Sequence, residues 1–193
     1  MRIVAGRHRG RRLLAPPGET VRPTSDRARE ALFNILSHGN LAANGIPFAQ
    51  KAVLDAFAGT GALGLEALSR GAAEAVFIEQ DQVALAFVRK NIEVLGEAAR
   101  ARVIPGDATR PPRATSACAV VFLDPPYRSG FADPALAALA AAGWLAPDAL
   151  AVLELATREH LSPPAGFTLL EERVYGAARL VFMRYEQATG DQA

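Results

Sequence analysis

Early in the chain, apolar residues recur at spacings of three and four, which predicts an amphipathic helix with a single buried face. The positions on that face are Ala28, Ala31, Leu32, Ile35 and Leu36. Thr24 or Ser25 carries the side-chain oxygen that an N-cap needs, and the helix is predicted to run to about His38. Residues 40–50 are predicted to form a loop or a weak helix.

From residue 52 onwards, short apolar runs alternate with helical patterns. Strands are predicted over residues 52–58, 75–79, 102–104, 117–123 and 149–155, and helices over 62–70, 83–95 and 133–142. Two more strands, 168–175 and 178–184, follow each other directly, with Gly176 at their turn. Such alternation produces a mostly parallel sheet with helices on both faces, and the closing pair adds an antiparallel hairpin. The predicted fold is therefore α/β, with a seven-stranded, Rossmann-like sheet.

The N-terminal segment is strongly basic. Residues 1–30 hold eight arginines against three acidic residues, whereas the whole chain has a net charge of only +1. Within residues 1–14 a short hairpin is predicted, with glycines at its turn and five arginines: Arg2, Arg7, Arg9, Arg11 and Arg12. Such an arm favours a polyanionic partner, although a solvated, charged edge strand would show the same pattern. Residues 1–23 are assigned to the arm and its connector, 24–186 to the main domain and 187–193 to a frayed tail.

A glycine turn follows the first predicted strand. Gly59, Gly61 and Gly64 match the spacing G-x-G-x-x-G, which lets a ligand approach the backbone at the carboxyl edge of the sheet. Glu79 ends the second strand, 20 residues after Gly59, where a carboxylate can accept both hydroxyl groups of an adenosine ribose. Nicotinamide enzymes and S-adenosylmethionine enzymes share this pattern, and a solvated strand end is the structural alternative for Glu79.

Three further acidic positions favour S-adenosylmethionine over a dinucleotide. Asp55 stands just before the glycine turn, where it would repel a pyrophosphate and attract the cationic methionine end. Asp107 ends the third strand and can meet the adenine amine, and Asp124 ends the fourth. Each alone could be a helix N-cap, but the carboxyl ends of successive parallel strands meet at one edge, where open α/β sheets bind ligands. The four carboxylates together predict a cofactor site there.

The fourth strand ends in Asp124-Pro125-Pro126-Tyr127. Neither proline has an N–H, so this tip presents mainly acceptors: the Asp124 carboxylate and the neighbouring backbone carbonyls. Two such acceptors can grip the two N–H bonds of an exocyclic amine on a nucleobase and direct its lone pair towards an electrophile. Tyr127 can stack on the base. A plain turn, with an aspartate cap and a packing tyrosine, is the alternative interpretation.

The remaining composition narrows the class of protein. Half of the residues are hydrophobic and no apolar run is long enough to span a bilayer, so a globular chain without a membrane segment is expected. The N-terminus lacks the apolar stretch of a signal peptide. The only cysteine, Cys118, lies in a predicted strand, which excludes an internal disulfide and fits a reducing, cytoplasmic compartment. The three histidines are scattered, so no metal site is predicted.

Three segments resemble the RsmD family of bacterial 16S rRNA guanine-N2 methyltransferases. They are residues 2–12 (R-I-V-A-G-R-H-R-G-R-R), 22–36 (R-P-T-S-D-R-A-R-E-A-L-F-N-I-L) and 54–72 (L-D-A-F-A-G-T-G-A-L-G-L-E-A-L-S-R-G-A). The resemblance runs from residue 2 to about 185. It implies a class I methyltransferase fold, S-adenosylmethionine as cofactor, and direct methyl transfer to a guanine splayed out of its stack. The partner that it implies is 16S rRNA, naked or within a partly assembled 30S subunit. A cytoplasmic monomer is expected.

The resemblance also assigns roles to individual positions. It implies that the cofactor is bound by Thr24, Asp55, Phe57, Ala58, Gly59, Gly61, Glu79 and Asp107. It implies that the target guanine is held by Asp124, Pro125, Pro126 and Tyr127, and that RNA is gripped by Arg2, Arg7, Arg9, Arg11, Arg12 and Arg22.

Three other functions fit parts of the pattern. A DNA adenine-N6 methyltransferase would use the same tip, although the basic hairpin and the lack of a separate base-reading domain speak against it. A non-catalytic RNA-binding assembly factor could keep the cofactor fold, but it would not need an intact tip. A nicotinamide oxidoreductase would have no use for Asp55 or for the two prolines.

Overall fold

A computed structural model describes residues 1–16, 26–42 and 45–187. Its centre is a seven-stranded sheet with the order β3-β2-β1-β4-β5-β7-β6. The strands are β1 (Ala52–Ala56), β2 (Glu74–Glu79), β3 (Ala101–Pro105), β4 (Cys118–Leu123), β5 (Leu145–Ala156), β6 (Phe167–Tyr175) and β7 (Ala178–Tyr185). The first five pair in parallel, and β7 runs antiparallel to both β5 and β6. The predicted parallel sheet with a closing antiparallel hairpin is confirmed.

Helices cover both faces of this sheet. They are α1 (Asp26–His38), α2 (Ala62–Ser69), α3 (Gln82–Leu95) and α4 (Ala132–Ala141). The first three pack over Phe77 and Phe122 on one face, and α4 packs with the fully buried Trp144 on the other. The apolar face predicted for α1 is confirmed, since Ala28, Leu32 and Leu36 are buried.

Two strand boundaries differ from the sequence prediction by more than one residue, and backbone conformation explains both. The first strand ends at Ala56 because Phe57 has a left-handed φ of 66°, which starts the glycine turn early. The fifth strand begins at Leu145, four residues before the predicted start, and passes through an irregularity in its pairing with β4. Asp148 accommodates that irregularity with a φ of 60°. A short 3₁₀ turn over Asn40–Ala42 occupies part of the predicted loop.

Some predictions fall outside the described residues. These are the helix cap at Thr24 or Ser25, the connector arginine Arg22, and residues 188–193 of the predicted tail. Within the described residues, no helix combines the length and apolar character that crossing a bilayer requires.

Candidate active site

The glycine turn between β1 and α2 is built from unusual backbone conformations. Phe57, Gly59 and Gly61 all have positive φ angles, of 66°, 56° and 83°. Gly61 is the N-cap of α2 and has no side chain to satisfy the first helical N–H groups. Asp55 does this instead, because its Oδ2 accepts the Gly64 N–H at 2.8 Å. The carboxylate that ends β1 therefore fixes the start of the helix.

Gly64 has a separate packing role in this turn. A Cβ at this position would lie 2.4 Å from the Phe77 ring of β2, so only glycine lets α2 lie this close to the sheet. The third glycine of the predicted pattern therefore sets the distance between helix and sheet, while the first two shape the turn.

The electrostatics of the site centre on Asp55. Its side chain is buried, and burial raises the pKa of the carboxyl well above its ordinary value. The hydrogen bond from Gly64 lowers the pKa, while the nearby carboxylates of Asp124 and Glu79 raise it further. Asp124 and Glu79 are therefore each close enough to Asp55 to disfavour its negative charge, as expected of a site built for a cationic ligand.

Glu79 clamps the glycine turn from the end of β2. Its Oε2 accepts the Gly59 N–H at 2.7 Å, and its Oε1 accepts the N–H groups of Gln80 and Asp81 at 2.8 Å each. These three bonds fix the carboxylate beside the turn. They exclude the alternative interpretation of Glu79 as a loosely solvated strand end.

Asp107 follows β3 at the same edge of the sheet. Its Oδ1 accepts both the N–H and the side-chain hydroxyl of Thr109 at 2.8 Å. Register places the strand ends side by side: Ala56 pairs with Ile78 on one side and with Leu123 on the other. The predicted gathering of the four carboxylates at one sheet edge is therefore what the structure shows.

The tip after β4 is held from several directions. Pro125 is buried and Pro126 is exposed, and the Ser129 N–H donates to the Pro126 carbonyl at 3.1 Å. Arg128 has a φ of 58° and donates its N–H to Glu159 at 2.9 Å. The tip therefore has a fixed backbone conformation rather than that of an open loop.

One ring contact and one hydrogen bond join the segment after β4 to its neighbours at this edge of the sheet. The Phe57 ring of the glycine turn stacks on Phe131, with centroids 6.4 Å apart and planes 1° from parallel. The Tyr127 hydroxyl donates to Glu154 Oε1 at 3.1 Å. Sequence reasoning missed Glu154, although a single acidic residue inside the apolar run of β5 was a usable signal.

The basic hairpin is attached to the outside of α2. Arg2 and Arg12 form an antiparallel bridge, which confirms the predicted hairpin. Glu66, buried in α2, accepts the Val4 and Ala5 backbone N–H groups at 2.8 and 3.0 Å. Its carboxylate also pairs with Arg70 at 2.7 Å. The sequence prediction assigned no role to this carboxylate, which anchors the arm.

A second buried carboxylate, Glu97, holds the hairpin turn. It binds the Arg7 guanidinium, contacts His8 Nε2 at 2.6 Å and pairs with Arg100 at 2.6 Å. The Ser69 hydroxyl accepts the His8 N–H at 3.0 Å. The hairpin is therefore docked on the protein through its first strand and the start of its turn.

Asn91 of α3 connects the end of the arm to the glycine turn. Its side chain accepts the Leu14 N–H at 2.7 Å and donates to the Leu14 carbonyl at 3.0 Å and the Thr60 carbonyl at 2.9 Å. A position of the arm and a position of the candidate cofactor site thus share one buried amide.

The five predicted arm arginines lie at the surface of the hairpin. All are exposed, and Arg7 pairs with Glu97. Their role in RNA binding stays a prediction, as does that of Arg22.

Cys118 lies at the opposite end of β4 from Asp124. It is fully buried, and burial raises the pKa of its thiol to about 12. A thiol in this position cannot act as a nucleophile at the candidate site. Among the described residues, no three His, Cys, Asp or Glu side chains form a cluster that could hold a metal ion.

Comparison with known proteins gives consistent matches along the chain. A family model described as conserved hypothetical protein 95 matches residues 1–184. Ribosomal RNA small subunit methyltransferase D of Escherichia coli strain K12 is 40% identical, covering 99% of this chain and 93% of its own. The protein of the same name from Haemophilus influenzae is 38% identical, covering 91% and 89%.

Solved structures also match over most of the chain. The Escherichia coli protein yhhF superposes with a TM-score of 0.80 at 37% identity, covering 96% of this chain and 98% of its own. An RNA methyltransferase from Salinibacter ruber, in complex with S-adenosyl-L-homocysteine, superposes with a TM-score of 0.65 at 16% identity, covering 88% and 97%, and shares the fold. The fold is that of class I methyltransferases, as predicted, and from its family model and its relatives this chain belongs to the RsmD family.

Proposed function

We propose that this chain transfers a methyl group from S-adenosylmethionine to the exocyclic N2 amine of a guanine in 16S rRNA. The observation that carries the proposal is the position of the Asp124–Tyr127 tip. Its carboxylate is close enough to Asp55 to raise the pKa of that group, so the group that would grip an amine lies beside the group that would attract a cation.

The acidic side chains at the sheet edge fit S-adenosylmethionine better than a dinucleotide. Asp55, Glu79 and Asp107 present carboxylate oxygens, which suit a cation, two ribose hydroxyls and an amine, whereas a pyrophosphate would be repelled. The glycine turn, with Phe57 and Ala58, would lie against the cofactor. When bound, the cofactor supplies a methyl group on a positively charged sulfur. No metal takes part in the proposed reaction.

The tip would position the target amine for direct transfer. The Asp124 carboxylate and a neighbouring carbonyl would accept the two N–H bonds, with Pro125 and Pro126 keeping the tip stiff and Tyr127 stacking on the base. The N2 lone pair would form the new N–C bond as the C–S bond breaks, and the amine would then lose a proton. The splayed base would leave its stack at a cost of roughly a few kcal/mol. No covalent bond to the protein is needed.

The docked hairpin would bind the RNA backbone. It presents exposed arginines on the same chain segment whose end is joined through Asn91 to the glycine turn. The relatives named rRNA small subunit methyltransferase D support rRNA as the substrate. We place the reaction in the cytoplasm and assign it to a monomer.

Tritiated methyl transfer to 16S rRNA, naked and within partly assembled 30S subunits, tests the proposal. The RNA is then digested and its nucleosides are identified by mass spectrometry. N2-methylguanosine from either RNA form is the expected product. N6-methyladenosine as the main product would overturn the assignment of the guanine, and the absence of transfer to both forms would favour a non-catalytic assembly factor.

A further inference from the structure

A buried carboxylate lies beside the proposed base pocket. Glu154 sits near the carboxyl end of β5, where its neighbours Leu153 and Leu155 are fully buried and it is itself only 6% exposed. Leu153 pairs in register with Leu123, the last residue of β4. The next step along each parallel strand therefore places Glu154 opposite Asp124, the start of the tip.

Glu154 also faces the same side of the sheet as Asp55. Side chains alternate along a strand, and Leu153 packs into the apolar cluster under α4. Glu154 must therefore point to the other face, where its pairing partner Leu180 is buried. Asp55 lies on that face too, because it pairs with Phe122 of the same cluster. The two carboxylates flank the end of β4 from either side.

The Glu154 carboxylate is a buried hydrogen-bond acceptor at the edge of the proposed pocket. Burying a carboxylate is expensive unless hydrogen bonds compensate for the lost water. The Tyr127 hydroxyl supplies one such bond, at 3.1 Å. A neutral glutamine at the same position would accept the Tyr127 hydroxyl equally well, so a Glu154→Gln variant can keep this bond. A carboxylate has about four lone-pair directions and can accept donors from a ligand at the same time.

The chemistry of the target base supplies such a donor. The Watson–Crick edge of guanine carries an N1–H next to the N2 amine, whereas adenine carries a bare N1 acceptor at the corresponding place. We propose that Glu154 is the specificity-determining residue that accepts the guanine N1–H, while Asp124 grips the adjacent amine. This inference rests on the proposed guanine-N2 function. A base with an unprotonated N1 would place a lone pair against the buried carboxylate and would be rejected.

The base analogue 2-aminopurine isolates this contact, because it keeps the exocyclic N2 amine but has a bare N1. Single-turnover methylation is measured on 16S rRNA carrying either guanine or 2-aminopurine at the position that the wild-type protein methylates. The wild type should prefer guanine on the order of a hundredfold, the scale set by a lone pair facing one buried charged group. Glu154→Gln can turn its amide N–H towards a bare N1, so the preference should fall by about tenfold or more.

Tyr127→Phe is the matched control, because it removes the same hydrogen bond from the other partner and keeps the carboxylate. It should slow methylation of both bases alike and leave their ratio unchanged. Each ratio is taken within one preparation, so a partly unfolded variant does not distort it. Glu154→Asp, which keeps the charge but withdraws it by one methylene, should also lose preference.

This design distinguishes a failure of the Glu154 inference from a failure of the proposed function. If the wild type makes N2-methylguanosine but Glu154→Gln keeps the full preference for guanine, Glu154 only orients Tyr127 and the inference is wrong. If the wild type makes no N2-methylguanosine, the proposed function itself fails.

Discussion

Gly59 donates its backbone N–H to Glu79 Oε2 over 2.7 Å, so the carboxylate at the end of β2 clamps the turn that follows β1. The other oxygen of Glu79 accepts two more backbone N–H groups. A carboxylate that would bind the ribose is thus already oriented by the backbone before any ligand arrives. Because the side chain is already fixed, less conformational entropy is lost when a ligand binds.

This clamp makes Glu79→Gln more damaging than the loss of a charge alone. A glutamine amide would turn its NH₂ group either towards Gly59 or towards the N–H pair of residues 80 and 81, and donors would face donors. We expect S-adenosylmethionine affinity to fall by about tenfold or more. Calorimetric titration measures it. Glu74→Gln, at the exposed start of the same strand, should change the affinity little; equal losses in both variants would contradict the clamp.

Asp124 is expected to act in the transfer step more than in cofactor binding. Asp124→Ala should lower single-turnover methylation on the order of a hundredfold, the scale for removing one preorganised polar group. Asp124→Asn keeps one acceptor and should lose less. Calorimetry should show a much smaller change in S-adenosylmethionine affinity for both variants. Near-normal turnover by Asp124→Ala would remove the residue from the mechanism.

The sequence predicted the sheet and the acidic edge because both depend on local patterns and on one topological rule. The carboxyl ends of parallel strands lie at the same edge of a sheet. The sequence alone therefore predicts that Asp55, Glu79, Asp107 and Asp124 lie together. Hydrogen bonds between distant segments leave no such pattern. Glu66 accepts backbone N–H groups from residues 61 and 62 positions away, and no spacing in the sequence predicts these bonds.

The same limit applies to the tip and to β5. Tyr127 and Glu154 are 27 positions apart and meet only because β4 and β5 are neighbours in the sheet. The early start of β5 depends on a positive φ at Asp148, which the apolar pattern does not encode. Tertiary pairing, rather than local preference, decided both features.

Asp55 should make the stability of the ligand-free protein depend on pH. Burial raises its folded-state pKa above the unfolded value, so its contribution is fully present below the unfolded pKa, near about 4, and is lost as pH rises through the folded pKa. Asp55→Asn removes this titration and can still accept the Gly64 N–H. The unfolding free energy of the wild type should therefore fall relative to that of Asp55→Asn as pH rises from about 4, as measured by urea titration. A constant difference across that range would contradict this assignment.

The same group should tie cofactor affinity to pH in the opposite direction. Only the ionised carboxylate attracts a cation, so S-adenosylmethionine should bind more tightly as pH rises through the folded pKa of Asp55. Asp55→Asn should bind weakly with a flat profile in that range. Calorimetry in buffers of different ionisation enthalpy would also detect the proton that the wild type releases on binding.

The exposed hairpin arginines should contribute to RNA affinity by binding phosphates. Arg9→Gln with Arg11→Gln removes two exposed charges without touching Glu66 or Glu97. The slope of log affinity against log salt should flatten by roughly 0.7–0.9 for each phosphate that the arm no longer neutralises. Lys51→Gln with Arg113→Gln removes the same charge from other exposed positions and should leave the slope unchanged. Equal slopes for the wild type and both double variants would indicate that the arm is a solvated edge strand that does not bind phosphates.

Two glycines of the hairpin offer a direct test of its docking on α2. Gly6 and Gly10 both have left-handed φ angles, of 78° and 83°, so alanine at either position strains the backbone by about 1–2 kcal/mol. They differ in what a Cβ would meet. At Gly6 it would lie 2.0 Å from the Ser69 carbonyl oxygen, whereas at Gly10 nothing lies within 4 Å.

Gly6→Ala should therefore lift the hairpin from α2, while Gly10→Ala should only strain it. Lifting would expose the buried Ile3 and Leu13 and leave the buried Glu66 without its two backbone donors, and both changes are destabilising. We expect a larger fall in melting temperature for Gly6→Ala and faster tryptic cleavage at the arm arginines. RNA methylation by Gly6→Ala should also fall, since an undocked arm no longer presents its charges beside the site. If the two variants melt, digest and methylate alike, the close approach to Ser69 does not hold the hairpin in place.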